Sequence, residues 1–361
     1  MKIIFACGGS GGHVNPAIAM AQCLEKSPNR FSFLFVGSEK GIEKRIANKA
    51  GYPFRHITIE GLHRSLTLRN LRTLYLAATS TSRAAKILKE EKPALVIGTG
   101  GYVSFPFIRA AKRLNIPCLL YESNAVPGLA VKMTEKAASA ILLQFKECQA
   151  LLRHPEKAIV MSAPLRQGFS HISREEARAH LKIDKNEFFL LSFGGSLGAE
   201  RISETALGAT ATLKRHGVKH VHACGERLYA DLKHRFPQEY EDGGLLPYID
   251  DMPTYMAAAN LILCRAGAIT LTELSRIGRA SLLVPSPYVA GNHQEKNARV
   301  YEKHGAALVL PEHELSAARL AERILFLKKN PALICKMEDT AAKLMPKNDE
   351  KRFIDLVKAF I

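Results

Sequence analysis

The 361-residue sequence contains no tryptophan, and its first 160 residues contain no aspartate. Its seven cysteines are scattered and include no C-x-x-C pair, which argues against a disulfide framework or a zinc site and favours a reducing compartment. The longest apolar runs are shorter than the ~18–20 residues that cross a bilayer, and the run at 3–7 is too short for a signal-peptide core. These absences predict a protein that is soluble or bound at most to a membrane surface.

Three nucleotide-binding signatures are also missing. Neither GGSGGH (8–13) nor GGSLGA (194–199) has the G-x-G-x-x-G order of dinucleotide dehydrogenases, and the sequence has no G-x-x-x-x-G-K-[ST] P-loop. It also has no Asp-x-Asp pair, so a dedicated divalent-metal clamp for a diphosphate is not expected. If a diphosphate leaves during the reaction, loop amides, helix ends and arginines must stabilise its charge instead.

The net charge of +17 is concentrated in one half of the chain. Residues 1–160 contain 23 Lys and Arg against 10 Glu, a net charge of +13, whereas residues 161–361 carry only +4. Such a basic half is typical of proteins that meet nucleic acid, an acidic lipid surface or a phosphorylated substrate, although it can also be a merely solvated surface. The sequence has no nucleic-acid recognition motif and no basic aromatic platform, so we expect no nucleic-acid partner.

The segment 61–91 combines leucines with basic residues. This pattern is typical of an interfacial element that binds anionic phospholipids, and equally of an amphipathic helix whose leucines face the core. Leucine content alone does not distinguish the two. The predicted membrane patch consists of Arg64, Leu66, Arg69, Leu71, Arg72 and Tyr75.

Apolar runs of strand length alternate with helical patterns such as Pro16–Lys26, Ile42–Ala50, Ile202–Lys214 and Thr270–Arg276. Such alternation predicts an α/β fold, with parallel sheets covered by helices on both faces. The predicted strands are Lys2–Ala6, Phe31–Val36, Ala94–Ile97, Pro117–Tyr121, Ala140–Leu143 and Ala158–Met161 in the first half, and Phe188–Phe193, Val218–Ala223, Leu261–Cys264, Ala280–Val284 and Ala306–Leu310 in the second.

A strand, a glycine loop and a helix follow one another near the start of each half, which predicts two nucleotide-type domains. We expect an N-terminal domain of residues 1–163 and a C-terminal domain of residues 164–341, with the helical segment 342–361 packed on the first. Four glycine loops follow strands, and backbone N–H groups at such places suit a phosphate-bearing ligand at the carboxyl edge of the sheet. These loops are GGSGGH (8–13), TGGY (99–102), GGSLGA (194–199) and RAGA (265–268).

The ordered set of motifs resembles one family of bacterial enzymes, the N-acetylglucosaminyltransferases that make lipid II of peptidoglycan. The motifs are GGSGGHVNPA (8–17), TGGYVSFP (99–106), YESNAVPGLA (121–130), GGSLGA (194–199), YIDDM (248–252), RAGAITLTEL (265–274) and NHQEKNA (292–298). The resemblance implies two facing Rossmann-like domains of the GT-B type with a deep cleft between them. It also implies transfer of N-acetylglucosamine from UDP to the 4-hydroxyl of the muramoyl sugar of lipid I. Inversion at the anomeric carbon, no metal or other cofactor, and peripheral attachment to the cytoplasmic face of the inner membrane are further implications.

The resemblance also implies roles for individual residues. Arg166 and Ser196 contact the donor diphosphate, Ile249 holds uracil through its backbone, and Glu273 accepts hydrogen bonds from the ribose hydroxyls. Gln294 reads the sugar hydroxyls with His293 and Asn297 nearby, and Asn124 reaches the same sugar. The full set of predicted donor-binding residues is Ser10, Gly11, Gly12, His13, Asn124, Arg166, Ser196, Ile249, Glu273, His293, Gln294 and Asn297.

The loops 8–13 and 99–102 are expected to hold the diphosphate of the lipid acceptor, through Gly9, Ser10, Gly11, Gly12, Thr99, Gly100, Gly101 and Tyr102. His13 is the predicted catalytic base, because an imidazole with a pKa near ~6.5 accepts a proton at neutral pH. A role in capping the helix or binding phosphate is the alternative for His13, and Glu122 is the alternative base.

Several positions depart from the family pattern. Tyr121 and Ser123 stand where the family usually has His and Gln, which leaves the roles of these two positions open.

A sugar-nucleotide 2-epimerase is the alternative enzyme, because it would share the fold and the UDP-sugar.

Overall fold

The computed structural model describes residues 1–39, 41–60, 69–165, 168–169, 172–195, 198–346 and 350–361, and only the backbone of residues 69–78. The chain forms two compact units, Met1–Leu165 with Pro346–Ile361, and Arg166–Met345. Within the described ranges, no helix is both long enough and apolar enough to cross a membrane.

The N-terminal unit contains a seven-stranded parallel sheet in the order β3-β2-β1-β4-β5-β6-β7. Its strands are β1 (Lys2–Ala6), β2 (Ser32–Ser38), β3 (Phe54–Ile57), β4 (Leu95–Gly98), β5 (Cys118–Glu122), β6 (Ala140–Leu143) and β7 (Ala158–Val160). Its helices are α1 (Gly11–Glu25), α2 (Glu43–Lys49), α3 (Arg69–Glu91), α4 (Ser104–Arg113), α5 (Leu129–Thr134) and, from the end of the chain, α15 (Glu350–Ala359).

The central strands β1 and β4 of this sheet are apolar except at Lys2, because both faces are covered. Ile3 and Phe5 of β1 belong to the core that includes α1 and α15, where Phe353 and Val357 are buried. Ile4 lies on the opposite face, with the core formed under α3 and α4. The alternation of side chains along a strand therefore distributes one apolar run between two cores.

The C-terminal unit contains a six-stranded parallel sheet in the order β10-β9-β8-β11-β12-β13. Its strands are β8 (Phe188–Phe193), β9 (Val218–Ala223), β10 (Leu245–Leu246), β11 (Leu261–Cys264), β12 (Ser281–Leu283) and β13 (Ala307–Val309). Its helices are α6 (Arg174–Leu181), α7 (Glu200–Arg215), α8 (Glu226–Arg235), α9 (Pro237–Glu241), α10 (Met252–Ala258), α11 (Ala268–Ile277), α12 (His293–His304), α13 (Ala317–Lys328) and α14 (Pro331–Leu344).

The strand order reverses at one point in each sheet. In the N-terminal unit the reversal lies between β1 and β4, and in the C-terminal unit between β8 and β11. Open α/β sheets bind ligands outside the carboxyl ends of the strands at such a switch point. The four glycine loops follow these four strands, so each unit has a pair of loops at its switch point.

The predicted α/β fold class is confirmed, and each of the eleven predicted strands coincides or overlaps with an observed one. The sequence pattern does not predict β3 or β10, because β3 contains Arg55 and His56 and β10 has only two residues. It also placed the start of α1 at Pro16, whereas the helix begins at Gly11. Proline usually marks a first turn; here Pro16 lies inside the helix, and both Pro16 and the preceding Val14 are buried.

Candidate active site

Two glycine loops of the N-terminal unit interlock at the switch point. A Cβ atom on Gly101 would lie 1.9 Å from the carbonyl oxygen of Gly8, and the φ of Gly101 is +74°. Glycine is required there by both the close approach and the left-handed backbone. The Thr99 hydroxyl donates a hydrogen bond to the carbonyl of His13 at 2.7 Å. The loops 8–13 and 99–102 therefore form one surface.

His13 lies in the first turn of α1, two residues beyond its start. N–H groups in the first turn have no intrahelical acceptor and carry partial positive charge, so this end of α1 favours an anion and a neutral imidazole. A Cβ atom on Gly100 would lie 2.5 Å from Nδ1 of His13. The imidazole ring therefore packs directly against the backbone of Gly100, and Nδ1 is buried there.

The loop after β5 is organised by the buried carboxylate of Glu122. This carboxylate accepts hydrogen bonds from the N–H of Gly128 at 2.7 Å and from the N–H and Nδ2 of Asn124, both at 3.0 Å. Burial raises the pKa of Glu122, and the hydrogen bonds from Gly128 and Asn124 oppose that rise. Because the carboxylate already holds three donors and orients Asn124, the geometry favours a positioning role for Glu122 over that of a base.

Tyr121 is a core residue of the N-terminal unit. Its side chain is 1% exposed, and its hydroxyl donates to Oε1 of Gln144 at 2.6 Å and accepts from the N–H of Ala163 at 3.4 Å. Ser123 is also buried. The departure at position 121 therefore changes the interior of the unit, and the buried tyrosine keeps its hydroxyl satisfied by two partners.

In the C-terminal unit, a hydrogen bond joins Gly195 and Gly198 in the loop after β8. The N–H of Gly198 donates to the carbonyl of Gly195 at 2.9 Å, and both residues have positive φ, +74° and +90°. A Cβ atom on Gly198 would lie 2.4 Å from the carbonyl oxygen of Cys224. The loop thus packs closely on the end of β9. The predicted diphosphate ligands Ser196 and Arg166 lie outside the described residues.

Glu273 lies in the second turn of α11 and is 5% exposed. The carboxylate is close enough to Cys264 to raise the pKa of that thiol, in addition to the larger effect of burial. Cys264 ends β11, so Glu273 lies at the carboxyl edge of the sheet. Glu273 is thus a buried carboxylate, and its predicted contact with ribose stays a prediction.

The N-terminal turns of α12 are tied to the neighbouring loops. The Oε1 of Gln294 accepts from the N–H of Ser286 at 2.9 Å, and the fully buried Asn297 donates through Nδ2 to the carbonyl of Ala266 at 3.4 Å. A ring nitrogen of His293 bonds the carbonyl of Ala290 at 2.8 Å. Burial lowers the pKa of His293, the Ala290 carbonyl opposes this change, and Lys296 adds to it. These bonds place α12 beside the loop 265–268.

Ile249, the predicted uracil contact, lies just before α10 and is buried. Asp251 caps this helix by accepting from the N–H of Thr254 at 3.4 Å. At the other end, Arg174, Arg178 and Arg279 donate to the consecutive carbonyls of Ala259, Ala258 and Ala257. Cations at a helix C-terminus stabilise it, although burial lowers the pKa of Arg279 to about 10, with Arg174 contributing. Both ends of the helix beside Ile249 are thus fixed.

The structure brings the predicted residues together in two groups, one in each unit. His13 and the loops 8–13 and 99–102 form the first, and the loop 265–268 with α11 and α12 forms the second. Sequence reasoning missed Glu43, a fully buried carboxylate that accepts the N–H of Gly9 at 2.7 Å. No motif marks this residue. In the described part of the chain, no group of three or more His, Cys, Asp and Glu side chains is placed to hold a metal ion.

The sequence matches two family models, the glycosyltransferase family 28 N-terminal domain over residues 3–143 and the corresponding C-terminal domain over residues 189–355. A protein of Thermoanaerobacter sp. (strain X514) named UDP-N-acetylglucosamine--N-acetylmuramyl-(pentapeptide) pyrophosphoryl-undecaprenol N-acetylglucosamine transferase is 38% identical, covering 99% of this chain and all of that protein. Its namesake from Acetivibrio thermocellus is 37% identical, over 99% of this chain and 98% of that protein. The chain belongs to this family of glycosyltransferases.

Solved structures agree with membership of this transferase family. The crystal structure of Acinetobacter baumannii MurG matches with a TM-score of 0.79 and 27% identity, covering 99% of both chains. A UDP-N-acetylglucosamine 2-epimerase matches with a TM-score of 0.61 over 99% of this chain but at only 14% identity, which shows a shared fold alone. The chain is thus a family 28 glycosyltransferase with two parallel-sheet α/β domains of the GT-B type.

The packing of Gly100 on His13 gives a test of the first group. Gly100→Ala is expected to displace the imidazole ring of His13, the predicted base, and to lower the kcat of glycosyl transfer at least ~10-fold, since misplacement of a catalytic group by about 1 Å can cost ~100-fold. Gly51→Ala is the matched control, because Gly51 also has positive φ (+81° against +106°) but nothing lies within 4 Å of its Cβ position. Steady-state kinetics and melting temperatures of both variants separate ring displacement from backbone strain. Equal kcat values for Gly100→Ala and Gly51→Ala would contradict the prediction that the packing of Gly100 positions the His13 ring for transfer.

Proposed function

We propose that this chain transfers N-acetylglucosamine from UDP-N-acetylglucosamine to the 4-hydroxyl of the muramoyl sugar of lipid I, with inversion at the anomeric carbon. The product is lipid II, a precursor of the peptidoglycan cell wall. The full-length relationship to transferases named for this reaction carries the proposal. The pairs of glycine loops at the two switch points support it, because both substrates contain a diphosphate.

The N-terminal unit takes the acceptor in this proposal. The N–H groups of Gly11 and Gly12 in the first turn of α1 face the lipid diphosphate, beside the loop 99–102. Nδ1 of His13 is buried against Gly100, so Nε2 is the atom that accepts the proton of the acceptor hydroxyl. As this proton leaves, the hydroxyl oxygen bonds to the anomeric carbon and the bond from that carbon to the UDP oxygen breaks.

The C-terminal unit takes the donor. Arg166 and Ser196 bind the diphosphate, Ile249 binds uracil and Glu273 binds ribose, whose two neighbouring hydroxyls match the two oxygens of a carboxylate. Gln294, with His293 and Asn297, positions the sugar, and Asn124 contacts the same sugar. Loop amides and Arg166 stabilise the charge that develops on UDP as it leaves.

The test is transfer of labelled N-acetylglucosamine from the UDP-sugar to a soluble lipid I analogue by the purified protein. We expect a labelled disaccharide product and release of UDP that requires the acceptor. Conversion of the sugar nucleotide without acceptor would support the 2-epimerase alternative. Absence of transfer under conditions in which the Thermoanaerobacter relative is active would overturn the proposal.

An anionic phospholipid surface is the further proposed partner, which places the protein peripherally at the cytoplasmic face of the inner membrane. Of the predicted patch, Arg64 and Leu66 lie outside the described residues, and Arg69, Leu71, Arg72 and Tyr75 lie on the described backbone of α3. Farther along α3, a surface groove of about 530 Å³ between α3 and α4 supports the proposal. It is lined by Ser82, Ala85, Lys86, Lys89, Glu90 and Arg113. Three cations against one carboxylate favour an anionic headgroup.

Charge reversal of this groove has a measurable consequence. The triple variant Lys86→Glu, Lys89→Glu and Arg113→Glu is expected to bind phosphatidylglycerol vesicles at least ~100-fold more weakly, because each basic residue near an anionic surface contributes about 1 kcal/mol. Reversal of the exposed Lys185, Lys303 and Lys336 in the other unit is the control. Vesicle sedimentation measures the affinity of both variants. An equal loss of affinity in the two would contradict the proposal that the groove between α3 and α4 binds the phospholipid surface. The same reversal at Arg64, Arg69 and Arg72 tests the predicted patch.

A further inference from the structure

Glu43 is a buried carboxylate directly beneath the loop 8–13. It is the first residue of α2 and has no exposed surface. Its Oε1 accepts the N–H of Gly9 at 2.7 Å, and the hydroxyl of Ser38 donates to its two oxygens at 3.3 and 3.5 Å. Burial raises the pKa of the neighbouring Cys7 thiol, and the Glu43 carboxylate adds to that rise. The carboxylate therefore lies within the interior rather than at the surface.

The chain makes room for this side chain at three glycines. A Cβ atom on Gly41 would lie 1.5 Å from Oε2 of Glu43, one on Gly37 would lie 2.9 Å from its Cβ, and one on Gly8 would lie 3.2 Å from Oε1. A buried carboxylate is costly to desolvate unless donors satisfy it, and an apolar side chain would fill the same space without that cost. An apolar side chain, however, cannot accept a hydrogen bond from the N–H of Gly9.

The bond to Gly9 determines how the glycine loop presents its amides. Gly9 has φ of +90°, and its Cβ position lies 3.4 Å from the Tyr102 ring of the second loop. With the Gly9 N–H directed inward to Glu43, the N–H groups that remain for an outside anion are those that follow it at the start of α1. Without the carboxylate, the Gly9 peptide can rotate, and the surface shared with Tyr102 changes with it.

We infer that Glu43 is a positioning residue for the acceptor diphosphate: it acts through Gly9 to hold the loop 8–13 in the conformation that receives the phosphates. This inference rests on the proposed function, in which that loop binds the lipid acceptor. Glu43 itself touches no substrate. It acts on acceptor binding and leaves Ile249 and Glu273 of the other unit, the residues proposed to hold uracil and ribose, unchanged.

The test compares Glu43→Ala, Glu43→Leu and Glu43→Gln in steady-state transfer to a soluble lipid I analogue. Alanine and leucine both remove the acceptor oxygen, and leucine also avoids leaving a cavity, so a folding defect in one does not end the test. We expect the KM for the lipid I analogue to rise at least ~10-fold in both, with the KM for UDP-N-acetylglucosamine within ~2-fold. Glutamine keeps an oxygen that accepts the Gly9 N–H, so Glu43→Gln is expected to stay within ~3-fold of the parent.

Glu135→Ala is the matched control. Glu135 is a buried carboxylate of the same unit that accepts the backbone N–H groups of Arg153 and His154 at 2.8 and 3.3 Å, at a different loop. Its loss is expected to lower the melting temperature without changing either KM. An unchanged acceptor KM in Glu43→Leu, or an equal rise in both KM values, would overturn the inference.

A binding measurement distinguishes this inference from the proposed function. Farnesyl diphosphate, titrated against the full-length protein by calorimetry, probes the diphosphate site without any turnover. We expect at least ~10-fold weaker binding to Glu43→Leu than to the parent. If the parent shows no transfer but this difference remains, the reaction is wrong and the role of Glu43 stands. If the parent transfers sugar and both proteins bind the probe equally, the role of Glu43 is wrong.

Discussion

Replacement of His13 by alanine is expected to lower the kcat of transfer by about 10²- to 10⁴-fold, the range that general-base catalysis contributes. The KM for UDP-N-acetylglucosamine should stay within about 2-fold, because Ile249 and Glu273, which are proposed to hold uracil and ribose, lie in the other unit. The prediction depends on the position of the imidazole in the first turn of α1, packed on Gly100 at the place where two glycine loops interlock. Stopped-time assays at saturating donor and acceptor measure kcat directly.

The pH profile separates a base from a phosphate ligand at the same place. If His13 is the base, the profile of kcat in the parent falls on the acid side as the imidazole becomes protonated, and this limb disappears in the residual activity of His13→Ala. If His13 only binds phosphate, the substitution raises the acceptor KM and leaves kcat near the parent value. His56→Ala is the control, since His56 is an exposed histidine of the same unit on β3. Near-parent kcat in His13→Ala would reject the role of base.

Buried strands and glycine loops are the features of this fold that the sequence pattern predicts. Strands such as β1 and β8 were predicted with their observed bounds because both faces of a central parallel strand are buried, which makes every position apolar except Lys2 and Ser192. The glycine loops were recognisable since close approaches and positive φ require glycine, as at Gly101. The pairing of loops at the two switch points depends on strand order, and the strand order becomes visible only in the folded sheet.

The burial of single polar residues could not be predicted from the sequence. Nothing in the stretch GIEKRI (41–46) distinguishes Glu43 from an exposed helical glutamate, because its burial depends on Gly8 and Gly37, which lie outside this stretch. The same holds for Tyr121, whose partners Gln144 and Ala163 come from other segments. Long-range contacts of this kind decide whether a polar side chain binds a ligand, fixes a loop or fills the core.

The C-terminal unit is expected to lose stability steeply below neutral pH, because it contains two neutral histidines in one buried polar chain. Thr210 bonds Nδ1 of His220 at 2.8 Å, and Ser192 bonds Nε2 of His220 at 2.6 Å and Nδ1 of His222 at 2.7 Å. Burial lowers the pKa of His220 to about 4, and burial together with His220 lowers the pKa of His222 to about 3. In the described residues, Nε2 of His222 is buried without a hydrogen-bond partner, so a proton there would find no acceptor.

The sign of the effect follows from proton binding. Both histidines take up protons near pH 6.5 when unfolded but only near pH 3–4 when folded. Between these pH values the unfolded state binds more protons than the folded state, so the stability falls as the pH is lowered. At pH 4.5, about 2 pH units below the pKa of an unfolded histidine, the two groups together lose up to ~5 kcal/mol, comparable with the whole stability of a domain. Stability is complete above about pH 6.5. Urea unfolding at pH 7.5 and 4.5, followed by circular dichroism and by hydrogen exchange in β8 and β9, measures the loss.

Variants assign this acid sensitivity to the buried chain. His222→Asn keeps a side chain able to bond Ser192 but cannot take up a proton, so the difference in unfolding free energy between pH 7.5 and 4.5 should shrink by about 2–3 kcal/mol. His234→Gln is the control, because His234 is exposed on α8 and its removal should leave the difference unchanged. Ser192 lies two residues before Gly194, the first residue of the loop that is proposed to bind the donor diphosphate. This loop therefore loses its support when the hydrogen bonds of Ser192 to the two histidines are lost. An unchanged pH dependence in His222→Asn would show that the acid sensitivity arises elsewhere.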